Sequence, residues 1–312
     1  MRAGLLHEYG QPPVPGEFDE PQAGGGEVVV DVLAAGMNPV DLLIGSGSFY
    51  GGSPPLPSVA GSEGVGRTPD GRLVYFDRPI APYGSFAEQV LVDADSIIPL
   101  PAEIDPKLAV AFGIAGLAAW LGLEWRAQVK EGETVLVLGA SGVVGQIAVQ
   151  AAKLLGAARV VAAARSADGL KRAHELGADA TVRIGQVDDL PKAFMEASGE
   201  GVDVVIDPVW GEPAAAALEA CRPRGRHVQI GQSAGTHATL ASATIRGKML
   251  AILGHTNFRA PQEVKHAAYQ RMVEHAARGE LTVDVEWMAL DQVAEAWSRQ
   301  RSSPHNKLVI VP

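Results

Sequence analysis

The chain has 312 residues, 47% of them hydrophobic, enough for one large domain or two ordinary ones with substantial cores. Its formal net charge of −10, from 26 basic and 36 acidic side chains, gives nucleic acid or an anionic membrane no global electrostatic support, while a local basic pocket for a small anion stays allowed. A single cysteine, Cys221, excludes an intramolecular disulfide and a cysteine-cluster zinc lobe, and a reducing cytoplasm is the simplest setting.

The opening MRAGLLHEYGQPP has no uninterrupted apolar run, so no signal peptide is expected. The first hundred residues read as strand-rich. GEVVVDVLAAGMN (Gly26–Asn38), GRLVYF and FAEQVLVD are candidate strands. Glycine and proline punctuate the intervals, most densely in GSGSFYGGSPPLPSVAGSEGVG, so long loops join a β-rich domain. Helical spacing then takes over. The longest apolar stretch, Leu108–Leu123, falls short of 18 residues and is expected to be buried core, not a membrane span.

From Thr134 the pattern alternates. Strands are predicted at Thr134–Leu138, Arg159–Ala164, Ala180–Ile184, Val202–Asp207, His227–Ile230 and Met249–Leu253. Helices are predicted at Val143–Leu155, Asp168–Leu176, Leu190–Ser198 and Pro213–Cys221. Strand–helix alternation is satisfied by a parallel sheet, and nearly continuous apolar strands fit a sheet covered on both faces. Pro261–Arg278 is a long amphipathic helix, followed by ELTVDVEWMAL, a helix at Asp291–Arg301 and the strand KLVIVP. That last strand needs a sheet to join, and a return to the first domain would make that domain discontinuous.

Between the first predicted strand and its helix stand Gly139, Gly142 and Gly145. A tight turn can demand positive φ, close approach to a pyrophosphate demands a bare backbone, and a helix lying against its strand demands the same. Phosphates would then meet the unpaired N–H groups and the positive end of the helix dipole. The hexad is imperfect, because Ala140 stands where the first glycine of a dinucleotide fingerprint would fall. At the end of the second strand an NAD site usually places an acid for the ribose hydroxyls; here AAARS places Arg165 and Ser166. An arginine there can pair with a 2′-phosphate, which favours NADP(H), and Lys171 and Arg172 add positive potential.

At these residues the chain resembles the zinc-independent quinone oxidoreductases of the medium-chain dehydrogenase/reductase superfamily, over nearly its whole length. The resemblance is carried by AAGMNPVDLLIGSGSFY, VAGSEGVG, VLVLGASGVVGQIAVQAAKLLGA, HELGAD, VDVVIDPVWG, GRHVQIG and the terminal KLVIV, in family order. It implies an α/β Rossmann domain plus a GroES-like β-rich domain in the two-domain architecture of that superfamily. Residues 1–112 and 261–312 would form the GroES-like part and 113–260 the NADP(H)-binding part, with nicotinamide and substrate in a cleft between them. It implies coenzyme contacts from Ser141, Gly142, Val143 and Val144, from Gly231, Gln232 and Ser233, and from Asn257 and Phe258. It also implies a homodimer, joined through the sheet edge near Met249–Gly254.

Zinc-dependent relatives carry a cysteine near position 37 and a histidine in a G-H-E segment, whereas this chain has Met37 and Ser62; no catalytic or structural metal is expected. The segment Gly66–Gly84 is shortened relative to the family, and Ala118 replaces a threonine common near the nicotinamide. The implied function is NADPH-dependent reduction of quinones or activated alkenes (enones, enals). Hydride addition to carbon leaves charge on oxygen, and Tyr50 and Asn38 are the available donors to it. Tyr50 can equally be aromatic packing, Asn38 a backbone cap, Asp41 a cap of the next helix and Asp207 a fold residue. A non-enzymatic NADPH-binding redox sensor or structural relative is the alternative. A zinc-type alcohol or polyol dehydrogenase lacks its ligands, and a short-chain dehydrogenase lacks its Tyr-x-x-x-Lys pair.

Overall fold

The computed structural model describes all residues, Met1–Pro312, and divides into two compact units. One contains Met1–Ile114, Tyr269–Ala277 and Val283–Pro312; the other contains Ala115–Ala268 and Arg278–Thr282. The division falls inside the single helix Gln262–Ala277 instead of before it. Residues 278–282 go with the second unit, where the Thr282 N–H donates to Gln150 Oε1 at 2.9 Å and Gln150 Nε2 donates back to the Thr282 carbonyl at 2.9 Å.

The first unit is built on a seven-stranded sheet and a three-stranded one. Glu27–Gly36 organises the larger sheet: it pairs antiparallel with Gly64–Arg67, with Gln89–Asp93 and with the last strand, Lys307–Val311. The terminal strand thus returns to the N-terminal sheet, with Val309 opposite Gly36 and Ile310 opposite Ala35. Its apolar side chains complete a core with Val30, Val74, Phe76, Phe86, Val90 and Trp297, all sealed from solvent. Burial of such side chains is the main favourable term for a sheet of this kind, about 1.5–3 kcal/mol for each large one.

The second unit is a six-stranded parallel sheet. In spatial order its strands are Ala180–Arg183, Arg159–Ala164, Thr134–Leu138, Val202–Asp207, Cys221–Gln229 and Ala251–Gly254. That is the doubly wound dinucleotide-binding order, which reverses direction between the first strand and the fourth, so ligands collect beyond the carboxyl ends of Thr134–Leu138 and Val202–Asp207. Both central strands are almost wholly buried, as their continuous apolar runs require.

Three local differences from the sequence pattern have physical reasons. The fifth strand starts at Cys221, six residues early, although Pro223 and Gly225 read as a turn; Arg222 is anchored to Asp203 (2.9 Å), and the register shifts between Val202 and Val204 to absorb the irregularity. The helix Ser242–Lys248 has no buried residue and hence no apolar stripe to read. Pro106–Ala127 forms one helical run, broken at Gly113 (ψ −119°), that is long and apolar enough to cross a membrane by length and composition. Of its most apolar window 78% is buried inside the protein.

Candidate functional site

The glycine turn supplies an anion-binding face. Gly139 has φ +61°, and a Cβ on Gly145 would overlap the Gly139 carbonyl and lie 2.6 Å from Ala140 Cα, so both positions need glycine. Ala140 is buried, with its N–H bound to the Ala163 carbonyl of the second strand (3.0 Å), and its own φ is not among the positive ones. Ala therefore serves where the fingerprint usually has glycine. The helix Val143–Leu154 starts at Gly142, whose end receives no side-chain cap. A Cβ on Gly142 would meet nothing nearer than the Gly139 carbonyl at 3.6 Å. Ser141, Gly142, Val143 and Val144 are all partly open, so the first-turn N–H groups form a bare cradle of the kind a pyrophosphate fits.

The second strand end lies against this turn. A Cβ on Gly169 would overlap Ser141, so the helix Ala167–Glu175 begins directly against the glycine turn. Ser166 caps that helix: its Oγ accepts from the Gly169 N–H at 3.1 Å, which leaves its hydroxyl hydrogen to donate elsewhere. Arg165 and Lys171 are exposed and take part in no ion pair. Arg172, by contrast, lies 3.7 Å from Glu175. Sequence reasoning did not single out Arg183, whose Nε donates to the Arg165 carbonyl at 3.3 Å.

The fourth and fifth strands end in loops that hold one another. Asp207 is fully buried; its Oδ1 accepts from the Val209 and Trp210 N–H groups (2.8 and 2.7 Å) and its Oδ2 contacts His227 Nε2 at 2.8 Å. Asp207 is thus the post on which the loop turns, which is the fold role open to it from sequence. Gly231 is fixed by Gln229 Nε2 (2.8 Å to its carbonyl), Ser233 reaches the Pro208 carbonyl at 3.4 Å, and Gln232 is exposed. Asn257 is buried, with Oδ1 3.0 Å from His255 Nε2, and Phe258 is half-buried beside it in sequence. Burial pushes His255 down to about 4; the Asn257 contact opposes this and nearby Arg126 adds to it. At neutral pH the ring is uncharged.

In the first unit the sequence candidates separate. Tyr50 is 77% exposed, with its ring 4.5 Å from that of Phe49 on the glycine-rich loop. Asn38 is buried and already engaged. Its Nδ2 donates to the Gly36 carbonyl (3.2 Å) and to Glu63 Oε1 (2.7 Å), and its Oδ1 accepts from Lys307 Nζ at 2.6 Å. Both amide hydrogens are committed, so Asn38 holds a network instead of offering a donor to a substrate oxygen. The centre of that network is Glu63, which sequence reasoning missed together with Lys307 and Tyr75. Its carboxylate accepts from Lys307 (2.7 Å), Asn38, the Tyr75 hydroxyl (3.0 Å) and the Ile114 N–H (2.5 Å). Tyr75 stacks on Tyr269 at 4.5 Å, and burial, then Glu63, raises both phenols well above their usual range.

Asp41 stands beside this network. It accepts from the Asn38 N–H (2.7 Å) and the Ser62 hydroxyl (2.6 Å), capping the helix Pro39–Gly45. Burial pushes its carboxyl up to about 6, against the pull of those two hydrogen bonds. Met37 is core, and Ser62 is spent on Asp41, so neither position occupied by a ligand in zinc relatives presents one.

Comparison with known proteins agrees with the architecture. A family model described as zinc-binding dehydrogenase matches residues 143–275, a span that starts at the helix after the glycine turn and excludes Met37 and Ser62. Quinone oxidoreductase-like protein 2 of Mus musculus is 31% identical over 261 residues, covering 81% of this chain and 74% of that protein. A phenolphthiocerol/phthiocerol polyketide synthase of Mycobacterium tuberculosis is 27% identical over 301 residues; the match covers 92% of this chain but only 14% of the synthase polypeptide. The solved quinone oxidoreductase of Thermus thermophilus, described also in complex with NADPH, superposes over 100% of both chains with a TM-score of 0.84 and 30% identity. A structure described as an NAD-dependent alcohol dehydrogenase superposes over the same extent with a TM-score of 0.89 and 27% identity, so the fold alone does not choose the coenzyme.

Proposed function

Because the chain belongs to the quinone oxidoreductase family of the medium-chain dehydrogenase/reductase superfamily, we propose that it is an NADPH-dependent reductase of quinones or activated alkenes. The observation that carries the coenzyme choice is Arg165. It directly follows the second strand, where an NAD site places an acid, has no ion-pair partner, and stands next to a glycine turn with uncapped N–H groups. Those N–H groups would hold the pyrophosphate, Arg165 and the Ser166 hydroxyl would bind the 2′-phosphate, and Lys171 would add positive potential. Gly231, Gln232, Ser233, Asn257 and Phe258 border the coenzyme from the later strand ends.

When bound at these residues, NADPH would supply hydride chemistry toward an electrophilic carbon of the substrate, with the balancing proton coming from solvent. The chain's part is to hold the reactants and to stabilise the charge that develops on oxygen. Tyr50 is the donor we assign to that oxygen, from a hydroxyl on an exposed loop. Asn38 acts behind it, with Glu63 and Lys307, by fixing the backbone from which the loop departs. Tyr50→Phe lowers turnover by roughly tenfold to a hundredfold, the worth of a hydrogen bond of about 1–3 kcal/mol, and leaves NADPH affinity unchanged.

Oxidation of NADPH against a panel of quinones, enones and enals tests the reading. Steady turnover with one class supports it and names the acceptor. Tight NADPH binding without turnover across the panel favours a coenzyme-binding sensor instead. The exposed strand Ala251–Gly254 ends the parallel sheet, with Ile252 and Met249 outside, and we assign it to a homodimer contact that sedimentation would detect. The single buried cysteine suits a reducing cytoplasm.

A further inference from the structure

Arg183 ends the strand Ala180–Arg183, and its neighbour across the parallel ladder is Ala164, the residue before Arg165. The Ile184 N–H donates to the Ala164 carbonyl at 2.9 Å, which keeps the two chains side by side as they leave the sheet. Arg183 Nε donates to the Arg165 carbonyl at 3.3 Å. Two exposed guanidinium-bearing residues therefore occupy adjoining strand ends. Like charges so placed repel, and a carboxylate is the ordinary relief. Three other arginines of this acidic chain have one: Arg222 meets Asp203 at 2.9 Å, Arg226 meets Glu133 at 2.5 Å and Arg299 meets Glu286 at 2.6 Å. Neither Arg165 nor Arg183 has such a partner.

We propose that Arg183 is a second residue that reads the 2′-phosphate of the coenzyme, acting beside Arg165 as the other half of a two-arginine clamp. This rests on the coenzyme reading given above for Arg165. A guanidinium has five N–H donors; the bond to the Arg165 carbonyl uses one and leaves the planar fork of Nη hydrogens for an acceptor. A phosphate monoester brings about −1.5 to −2 charge near neutral pH and three acceptor oxygens, which two forks can share. The Ser166 hydroxyl, whose oxygen is already spent on the Gly169 N–H, donates its hydrogen to the same group. The unrelieved charge of the pair is matched only by a ligand that carries the phosphate, so the clamp separates NADPH from NADH more sharply than one arginine does.

Calorimetric titration of wild type, R165A, R183A and R183Q with NADPH, NADH, adenosine 2′-monophosphate and adenosine 5′-monophosphate tests this. R183A is expected to weaken NADPH and the 2′-monophosphate by roughly tenfold to a hundredfold, the scale of a charge-assisted hydrogen bond, and to leave NADH and the 5′-monophosphate unchanged. NADH affinity also reports that the site is folded in each variant. R183Q retains a donor for the Arg165 carbonyl but no charge, and is expected to lose nearly as much. R183Q binding NADPH as wild type does would make Arg183 a prop for the strand end and overturn the clamp. Loss of discrimination in R165A but not in R183A would overturn the clamp and leave the coenzyme site standing. A wild type that binds NADPH and NADH equally would overturn both.

Discussion

Lys307→Met should expose how the first unit is held together. Lys307 and Glu63 are both sealed from solvent, and Nζ makes two short bonds, 2.7 Å to Glu63 and 2.6 Å to Asn38. Methionine keeps the stem of the side chain and removes the charge. Glu63 then retains Asn38, Tyr75 and the Ile114 N–H as donors but loses its only countercharge within hydrogen-bond reach. Breaking a buried pair from one side costs about 3–5 kcal/mol. For a unit of roughly 150 residues, at about 2–4 °C per kcal/mol, the unfolding midpoint falls by about 6–20 °C. Scanning calorimetry reads this directly. Adding Glu63→Gln removes the orphaned charge, and Asn38, freed from Lys307, can turn its carbonyl to the new amide, so the double variant should recover most of the loss. A K307M stability within about 0.5 kcal/mol of wild type, or a double variant no better than the single, would refute the view of Glu63 as a buried charge held by Lys307.

Two further predictions concern pH. Asp41 is raised by burial to about 6, above its unfolded value, so its contribution to stability is complete below pH 4 and is lost as pH rises through 6, by on the order of 3 kcal/mol. Asp41→Asn should lack this component, and the difference between the two stability–pH curves from urea titrations isolates it; parallel curves would contradict the assignment. His255 is lowered by burial to about 4, so its contribution is present above pH 6.5 and lost as pH falls toward 4. His255→Phe should be less stable than wild type at pH 7, having lost the Asn257 contact, and the gap should close or reverse near pH 4.5 in the same titrations; a gap constant with pH would show that the ring is not held neutral.

The coenzyme half of this chain was legible because its signals are local. Thr134–Leu138, Arg159–Ala164 and Val202–Asp207 fall where apolar runs between helical stretches put them, and the glycines at 139, 142 and 145 sit at the turn their spacing indicates. The polar centre of the first unit was not legible. Glu63 and Lys307 are 244 residues apart, no periodicity links them, and a buried lysine runs against the usual expectation for that residue. The break at Gly113 belongs to the same centre: a Cβ there would overlap Glu63 and lie within 2.7 Å of the Tyr75 hydroxyl, yet in sequence it is one glycine in an apolar run. Arg183 was hidden for the reverse reason, since an exposed arginine at a strand end is ordinary until the strand beside it ends in another.

On this reading the chain transfers hydride from NADPH and selects that coenzyme through Arg165. The most direct measurement is the initial rate of coenzyme oxidation with one accepted quinone, for NADPH and NADH, in wild type and in Arg165→Ala. The expected outcome is a higher kcat/KM for NADPH in wild type, expressed in KM, and a fall in that preference by roughly tenfold to a hundredfold in the variant, with the NADH rate unchanged. Equal kcat/KM for the two coenzymes in wild type, or an equal loss for both in the variant, would contradict it.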